Sequence, residues 1–584
     1  MRANFRILSL TLLAAVALTA PAQRISADGA TQTFDFLSNQ YFDKIYFKYA
    51  PTTGTSVGLH QYDTQLEDYS AATAAKQTAA LHAMLTKLEA VPADALDAPV
   101  AADRDILLNA IRSQLLSLET IRMTEKNPDT YSSGVTNSIF TIMERAYAPL
   151  NTRLRAAVER EKLIPAVFLE ARKNLKNPPS IYTDIALEQI DGNIAFFQRD
   201  VPLAFADATD PAAKAAFART NAAVIEALKS YAAWLKTDLL PRSNGDFRIG
   251  ADTYRKKLQY DEMVDLPLDK LLAVNEANMR ANQAEFARIA KEVDATKTPL
   301  QVLAQLATIH PAPDKLLDAF RDSFTSEIAF LKSHRILTLP SDVRPMLEET
   351  PPFARATTSA SMDLPGAFET GSTRAYFNVT LPDKTWTPQH IAEHMAEFNV
   401  GTIVSTSVHE AYPGHYTQFL WQPQFPSKIR KLLGANTNIE GWAHYCEQMM
   451  LDEGYVTPGG DAREQKLIRL GQLQDALLRN ARFTVGIKMH TEGWTTNQAE
   501  TYFVTEGYQS PSVATMETRR GASDATYLYY TLGKLEILKL REDMKSRQGA
   551  AFRLGDFHDQ FMLQGFAPIR VIRKAMLHND SPVL

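Results

Sequence analysis

Two short segments carry side chains whose types and spacing suit metal and acid–base chemistry. The first is His409-Glu410-Ala411-Tyr412-Pro413-Gly414-His415, and the second is Asn438-Ile439-Glu440-Gly441-Trp442-Ala443-His444-Tyr445-Cys446-Glu447. Imidazole is both the commonest side-chain metal ligand and a common proton carrier. Of the 12 histidines, six (His390, His394, His409, His415, His444 and His490) fall between residues 390 and 490. That clustering singles out this stretch of chain.

The first segment begins with the His-Glu pair found in helical zinc sites, but its second His arrives six residues later rather than four. A four-residue step overshoots a full helical turn by about 40°, so both imidazoles share a face. Six residues leave the second His about 120° away, and a regular helix would not bring both to one ion. Pro413-Gly414 offers the remedy. Proline removes a helical hydrogen bond and glycine permits unusual dihedrals, so a local bulge can re-aim His415. In the second segment Glu440, His444 and Glu447 fall at 0, 4 and 7 on one helix face. A carboxylate there completes a three-ligand zinc site with an open position, and Glu410 is placed to take a proton from water. The expected ligands on this reading are His409, His415 and a carboxylate of the second segment, the metal Zn2+, and the general base Glu410. The plainer reading puts these charges on solvated helix faces.

One competitor is a literal inverted motif, His390-Ile391-Ala392-Glu393-His394, which needs no helical distortion. Inverted-motif enzymes rest on mixed α/β folds, whereas this chain reads as mainly helical. His390, Glu393 and His394 are therefore expected beside the site or on the surface.

The elements that must hold these residues are helices. Apolar residues recur at three and four positions through Ile106–Leu118, Ala216–Leu240, Leu268–Val293, Leu316–Leu331, Leu467–Met489 and Tyr527–Met544. The Pro-, Ser- and Thr-rich stretch Leu337–Asp383 interrupts them, and inside it Arg374–Thr380 has strand composition. That strand is expected either at a sheet edge, where it could pair with an extended peptide, or as part of a small structural sheet. A turn-rich patch, Ser243-Asn244-Gly245-Asp246, suggests a short hairpin. The division expected is a signal peptide over 1–22, a helical N-terminal lobe over 23–335 and a metal-binding lobe over 336–584.

Arg2 and Arg6 precede an apolar stretch from Ile7 to Leu18, and Ala20-Pro21-Ala22 supplies the small residues of a cleavage site. Cleavage is expected after Ala22, giving a secreted or periplasmic protein with no membrane contact once the leader is gone. A lipid-modified terminus would need a cysteine there, and the one Cys is Cys446. The mature chain would carry 60 basic against 67 acidic residues, so it has no basic excess to neutralise nucleic-acid phosphates. With 45% hydrophobic residues over 584 positions, wholesale disorder is excluded.

These two segments, with Arg374-Ala375-Tyr376-Phe377-Asn378-Val379 and Tyr530-Thr531-Leu532-Gly533-Lys534, resemble the bacterial proteins of the DUF885 family. The family is grouped with the gluzincin metallopeptidases. The resemblance implies a mainly α-helical, two-lobed architecture like that of the thimet oligopeptidases. It also implies a deep channel, one zinc ion and a small β-sheet near it. Carried over by position, His409, His415 and Glu440 hold the metal and Glu410 is the base. The expected activity is hydrolysis of short or unfolded peptides. The alternatives are a non-catalytic peptide-binding protein with a structural metal and a zinc hydrolase of non-peptide amides or esters.

Such a peptidase also needs a donor for the oxyanion. Tyr530, Lys534 and Arg541 lie at 0, 4 and 11 of the last long helix, within about 40° of one line. Tyr530 is the expected oxyanion donor, with Tyr529 its competitor. Lys534 or Arg541 is the expected receiver of a peptide carboxylate. The alternative for all three is an ordinary helix face opposite the Leu532, Leu535 and Leu538 core stripe.

Overall fold

The computed structural model describes residues 27–350 and 359–584; the leader expected over 1–22 lies outside them. The helices that bear on the site are, in chain order, α1 (Ser180–Ala195), α2 (Gly250–Glu262), α3 (Leu268–Val293) and α4 (Leu316–His334). They are followed by α5 (Val400–Glu410), α6 (His415–Trp421), α7 (Asn436–Asp452), α8 (Ala462–Thr491), α9 (Pro511–Ser523) and α10 (Tyr529–Gln548).

Periodicity explains the long helices. In α3 the buried positions are Leu271, Asn275, Met279, Asn282, Phe286, Ile289 and Ala290, recurring at three and four residues along one face. Helix α8 is capped by Asp461, whose carboxylate accepts from the backbone N–H groups of Arg463 and Glu464. It is buried on every side over Ala481–Ile487, which makes it the central rod of the molecule. The α3–α8 seam is pinned by amides: Asn275 and Asn282 each donate to Asn480, and Asn480 Nδ2 donates to Asn275 Oδ1 at 2.8 Å. The largest apolar cluster draws on both sides of residue 335, including Phe34, Leu107, Phe320, Val408, Trp442 and Ile572.

The stretch after α4 forms a three-stranded sheet of order β1-β3-β2, with β1 (Met346–Glu349), β2 (Ala360–Asp363) and β3 (Tyr376–Val379). β3 pairs parallel with β1 and antiparallel with β2. The Arg374–Thr380 segment is thus the middle strand, and its backbone groups are already spent on two neighbours, so it cannot take an added peptide strand. Phe377 points from it onto Phe320 and Phe324 of α4, with ring centroids 5.1 and 5.0 Å away, which seats the sheet on the helix behind α5. The hairpin expected at Ser243–Asp246 does not form. Asn177 and Pro178 instead engage the backbone of Asn244 and Gly245, and the segment runs as a loop.

Helices α7 and α10 meet backbone to backbone. A Cβ on Gly441 would lie 2.6 Å from Gly533 Cα, and one on Gly533 would lie 1.8 Å from the Thr437 carbonyl oxygen. The α7 N-terminus has no side-chain cap of its own, and Glu262 of α2 fills that role across 175 residues. Its carboxylate accepts from Thr437 N at 2.8 Å, Thr437 Oγ1 at 2.7 Å and Asn436 N at 3.2 Å. Gly533→Ala should therefore push α10 off α7 and cost about 3 kcal/mol of stability. Urea unfolding checks this, and a loss under about 0.5 kcal/mol would refute the contact's importance.

Candidate metal centre

Helix α5 is opened by Asn399, whose side chain accepts from Thr402 N, and it ends at Glu410. There the chain does not bulge and continue; it leaves the helix. The N–H groups of Ala411 and Tyr412 both turn back to the Ser407 carbonyl, the Tyr412–Pro413 peptide is cis, and Gly414 N donates to Val408 O at 2.9 Å. Gly414 lies against the end of α5, where a Cβ would come within 1.7 Å of His409 O. The Pro413 carbonyl accepts from Trp442 Nε1 at 2.8 Å, tying the turn to α7. A new helix, α6, then starts at His415 itself.

The result brings the three expected ligands together. The His409 and His415 rings stand nearly perpendicular, 4.9 Å apart. Glu440 Oε2 lies 3.4 Å from His409 Nε2 and 3.6 Å from His415 Nε2. That oxygen is buried and has no hydrogen-bond partner. Ligand atoms around a tetrahedral zinc, at bonds of about 2.0–2.1 Å, stand about 3.3 Å from one another. A carboxylate oxygen left orphaned between two imidazole nitrogens at that spacing fits a divalent cation. A carboxylate oxygen of Glu410 joins the group, within 4.8 Å of a nitrogen of each histidine. His409, Glu410 and His415 are the one such trio of His, Cys, Asp and Glu among the described residues, and Glu440 joins them through its 3.4 and 3.6 Å approaches to the two imidazoles.

Electrostatics act in the same sense. Burial works to raise the Glu440 carboxyl, but contact with His409 and His415 prevails and holds it well below the carboxylate range. Burial works to lower His409, yet Glu440 and Glu447, with Glu410 nearby, raise it to about 10.

Behind the candidate ligands lies a set of residues that sequence reasoning placed without a role or missed. His409 Nδ1 donates to Glu447 Oε1 at 2.7 Å, which turns Nε2 toward Glu440. Glu447 is fully buried and also accepts from Arg479 Nη2 at 2.9 Å and His444 Nδ1 at 3.1 Å. Burial opposes its charge, but Arg479, His444 and His409 hold it well below the usual carboxylate range. The one available signal was Glu447's place two turns along the Glu440 face; nothing local marks Arg479.

The inverted motif is not assembled. His390 stacks on Trp386 at 4.0 Å, His394 Nε2 is bonded to the Thr380 carbonyl at 2.8 Å, and Glu393 accepts from Gln389. His490 is also spent elsewhere, bonded to the Gly521 carbonyl.

Tyr530 and Tyr529 separate cleanly. Tyr529 gives its hydroxyl proton to Asp524 at 2.9 Å. Tyr530 Oη instead accepts from Arg520 Nη2 at 3.1 Å and so keeps its own proton to donate. The two basic residues expected to receive a carboxylate are not available. Lys534 is fully buried behind Glu447 and His444, where burial and the Arg479 charge push its ammonium down to about 8. Arg541 is engaged by Tyr445 and Glu453.

Glu327 of α4 underlies the site helix. Its Oε1 accepts from Ser323 at 2.8 Å and from Ser407, two residues before His409. Burial raises this carboxyl from 4.5 to about 8. A raised carboxyl binds its proton more tightly folded than unfolded, so its stabilisation is complete below about 4.5 and is lost as pH rises toward 8. Glu327→Gln should therefore flatten the fall in stability between pH 5 and 8, by about 3 kcal/mol. Urea midpoints at the two pH values test this; a wild-type slope in the variant would exclude it.

Comparison with known proteins follows the same outline. A putative lipoprotein of unknown function from Shewanella oneidensis superposes with a TM-score of 0.78 at 27% identity. The match covers 93% of this chain and 99% of that one. A putative lipoprotein from Colwellia psychrerythraea shares the fold at 18% identity and a TM-score of 0.71, covering 95% of this chain and 99% of its own. No curated protein matches. Residues 51–576 match the family described as bacterial protein of unknown function (DUF885), and the chain belongs to that family.

Proposed function

We propose that the chain is an exported zinc-dependent metallopeptidase that hydrolyses short or unfolded peptides, built on a two-lobed, gluzincin-like plan. The observation that carries this reading is the orphaned Glu440 Oε2 between His409 and His415 with Glu410 beside them. His409, His415 and Glu440 would hold the ion. Zinc supplies Lewis acidity at a carbonyl oxygen and makes water more acidic.

The protein's own groups do the rest. Glu410 ends α5 with no hydrogen-bond partner among the described residues, so its carboxylate is free to accept a proton from the attacking water. The same carboxyl then returns that proton to the departing amine. Tyr530, with a hydroxyl proton still to give, donates to the oxyanion. Glu447 keeps the His409 ring in one orientation throughout. A free base favours catalysis over a closed structural site, in which all positions are filled by protein. Export is supported by the expected leader.

Two measurements test the reading. The purified mature protein should hold about one zinc per chain, His415→Ala should lose it, and Glu447→Gln should bind it 10–100-fold more weakly. Absence of zinc from the metal-supplemented wild type would sink the proposal. Glu410→Gln should keep its zinc while turnover on a mixed peptide pool falls about 10²–10⁴-fold. Wild-type turnover in that variant would remove Glu410 as the base.

A further inference from the structure

Tyr530 is surrounded by guanidinium groups. The Cζ atoms of Arg479, Arg482 and Arg520 lie 5.6, 5.1 and 5.7 Å from its ring centroid. Two of these charges are matched. Arg479 is paired with Glu447 at 2.9 Å, and Arg482 binds both oxygens of Glu517 at 2.6 and 2.7 Å. Among the described residues Arg520 has no carboxylate within ion-pair distance, and the one side chain it bonds is the phenol of Tyr530.

Arg520 is half-buried on α9 and borders a cleft of about 540 Å³ between α9 and α1. Its neighbour Arg519 is spent on Glu188 across that cleft at 2.5 Å. Ser512, Thr515 and Ser523 add neutral polar groups to the lining. The cleft is therefore bordered by one forked cation with no carboxylate in ion-pair contact among the described residues, held in place by a tyrosine whose ring lies against Arg479. Arg479 in turn binds the carboxylate that orients His409. A planar guanidinium with its charge unmatched suits a carboxylate, which it can hold through two parallel hydrogen bonds.

We propose that Arg520, braced by Tyr530, is the receptor for a substrate carboxylate, and that the terminal carboxylate of a peptide is what it takes. As a substrate assignment this rests on the peptidase reading, and it makes the enzyme one that works from the C-terminal end of short peptides. Of the two cations whose spacing suggested this role, Lys534 is fully buried and Arg541 is engaged by Tyr445 and Glu453, whereas Arg520 borders an open cleft.

The test is equilibrium binding to the full mature zinc-supplemented Glu410→Gln protein, read by affinity selection and mass spectrometry. Three synthetic pools of N-acetylated tetrapeptides are compared: free acids lacking Asp and Glu, the same sequences as C-terminal amides, and amides carrying one Glu. The expected result is retention of the free acids at least about tenfold over the plain amides. Adding Arg520→Gln should abolish that preference, and Arg520→Lys should restore part of it. A preference for the Glu-bearing amides alone would keep Arg520 as a carboxylate receptor but overturn the terminal assignment. Equal retention of all pools, or a preference that survives Arg520→Gln, would overturn the proposal. Turnover by the zinc-loaded wild type separates the two readings. Acid-selective binding with no cleavage would refute the peptidase while leaving the receptor. Cleavage of acids and amides alike, without selective binding, would do the reverse.

Discussion

Gly414 lies against the carbonyl oxygen of His409 at a distance that admits no side chain, and the convergence of the candidate ligands follows from that contact. Two histidines six residues apart would diverge on any continuous helix. By ending α5 at Glu410 and folding back through Gly414, the chain restarts a helix at His415 and faces both imidazoles inward. Each neighbouring feature supports that fold-back. Trp442 holds the Pro413 carbonyl, Ser407 accepts the amides of the turn, and Glu447 fixes the ring of His409. Glu440 and Trp442 reach the turn from one helix, so α7 supplies both a candidate ligand and the brace.

Helix α7 can do this because it lies unusually close to α10. The Gly441–Gly533 contact removes side chains from the seam and brings two backbones together. This draws Lys534, His444 and Glu447 into one buried polar group behind the candidate ligands. A buried ion set of this kind is costly unless its charges are balanced and bonded. Arg479 provides the balance for Glu447, at the cost of placing another cation near Lys534.

Much of the fold was legible because helical periodicity is local. The α3 span read from apolar spacing coincides with the helix, and α4 and α8 extend only a few residues beyond the spans read. The candidate ligands were legible for a related reason: His409, Glu410 and His415 are close in sequence, and Glu440 shares a short motif with glycine and tryptophan. What sequence could not give were partners defined by tertiary approach. Arg479 and Arg520 are two arginines among many until α8, α9 and α10 meet at Tyr530. The place of Arg374–Thr380 in its sheet was also hidden, because strand composition does not reveal how many neighbours a strand has. The inverted motif, set aside on the helical character of the chain, has sound spacing, but Trp386 and the Thr380 carbonyl hold its histidines.

The cap that Glu262 places on α7 bears on modularity. The helix that carries Glu440 and Glu447 begins at a terminus whose amides are satisfied by a residue far upstream. A fragment starting after the middle of the chain would contain every candidate ligand and yet expose the first turn of that helix. The site is therefore a property of the whole chain, and this half is not a cassette that could be shuffled intact into another protein.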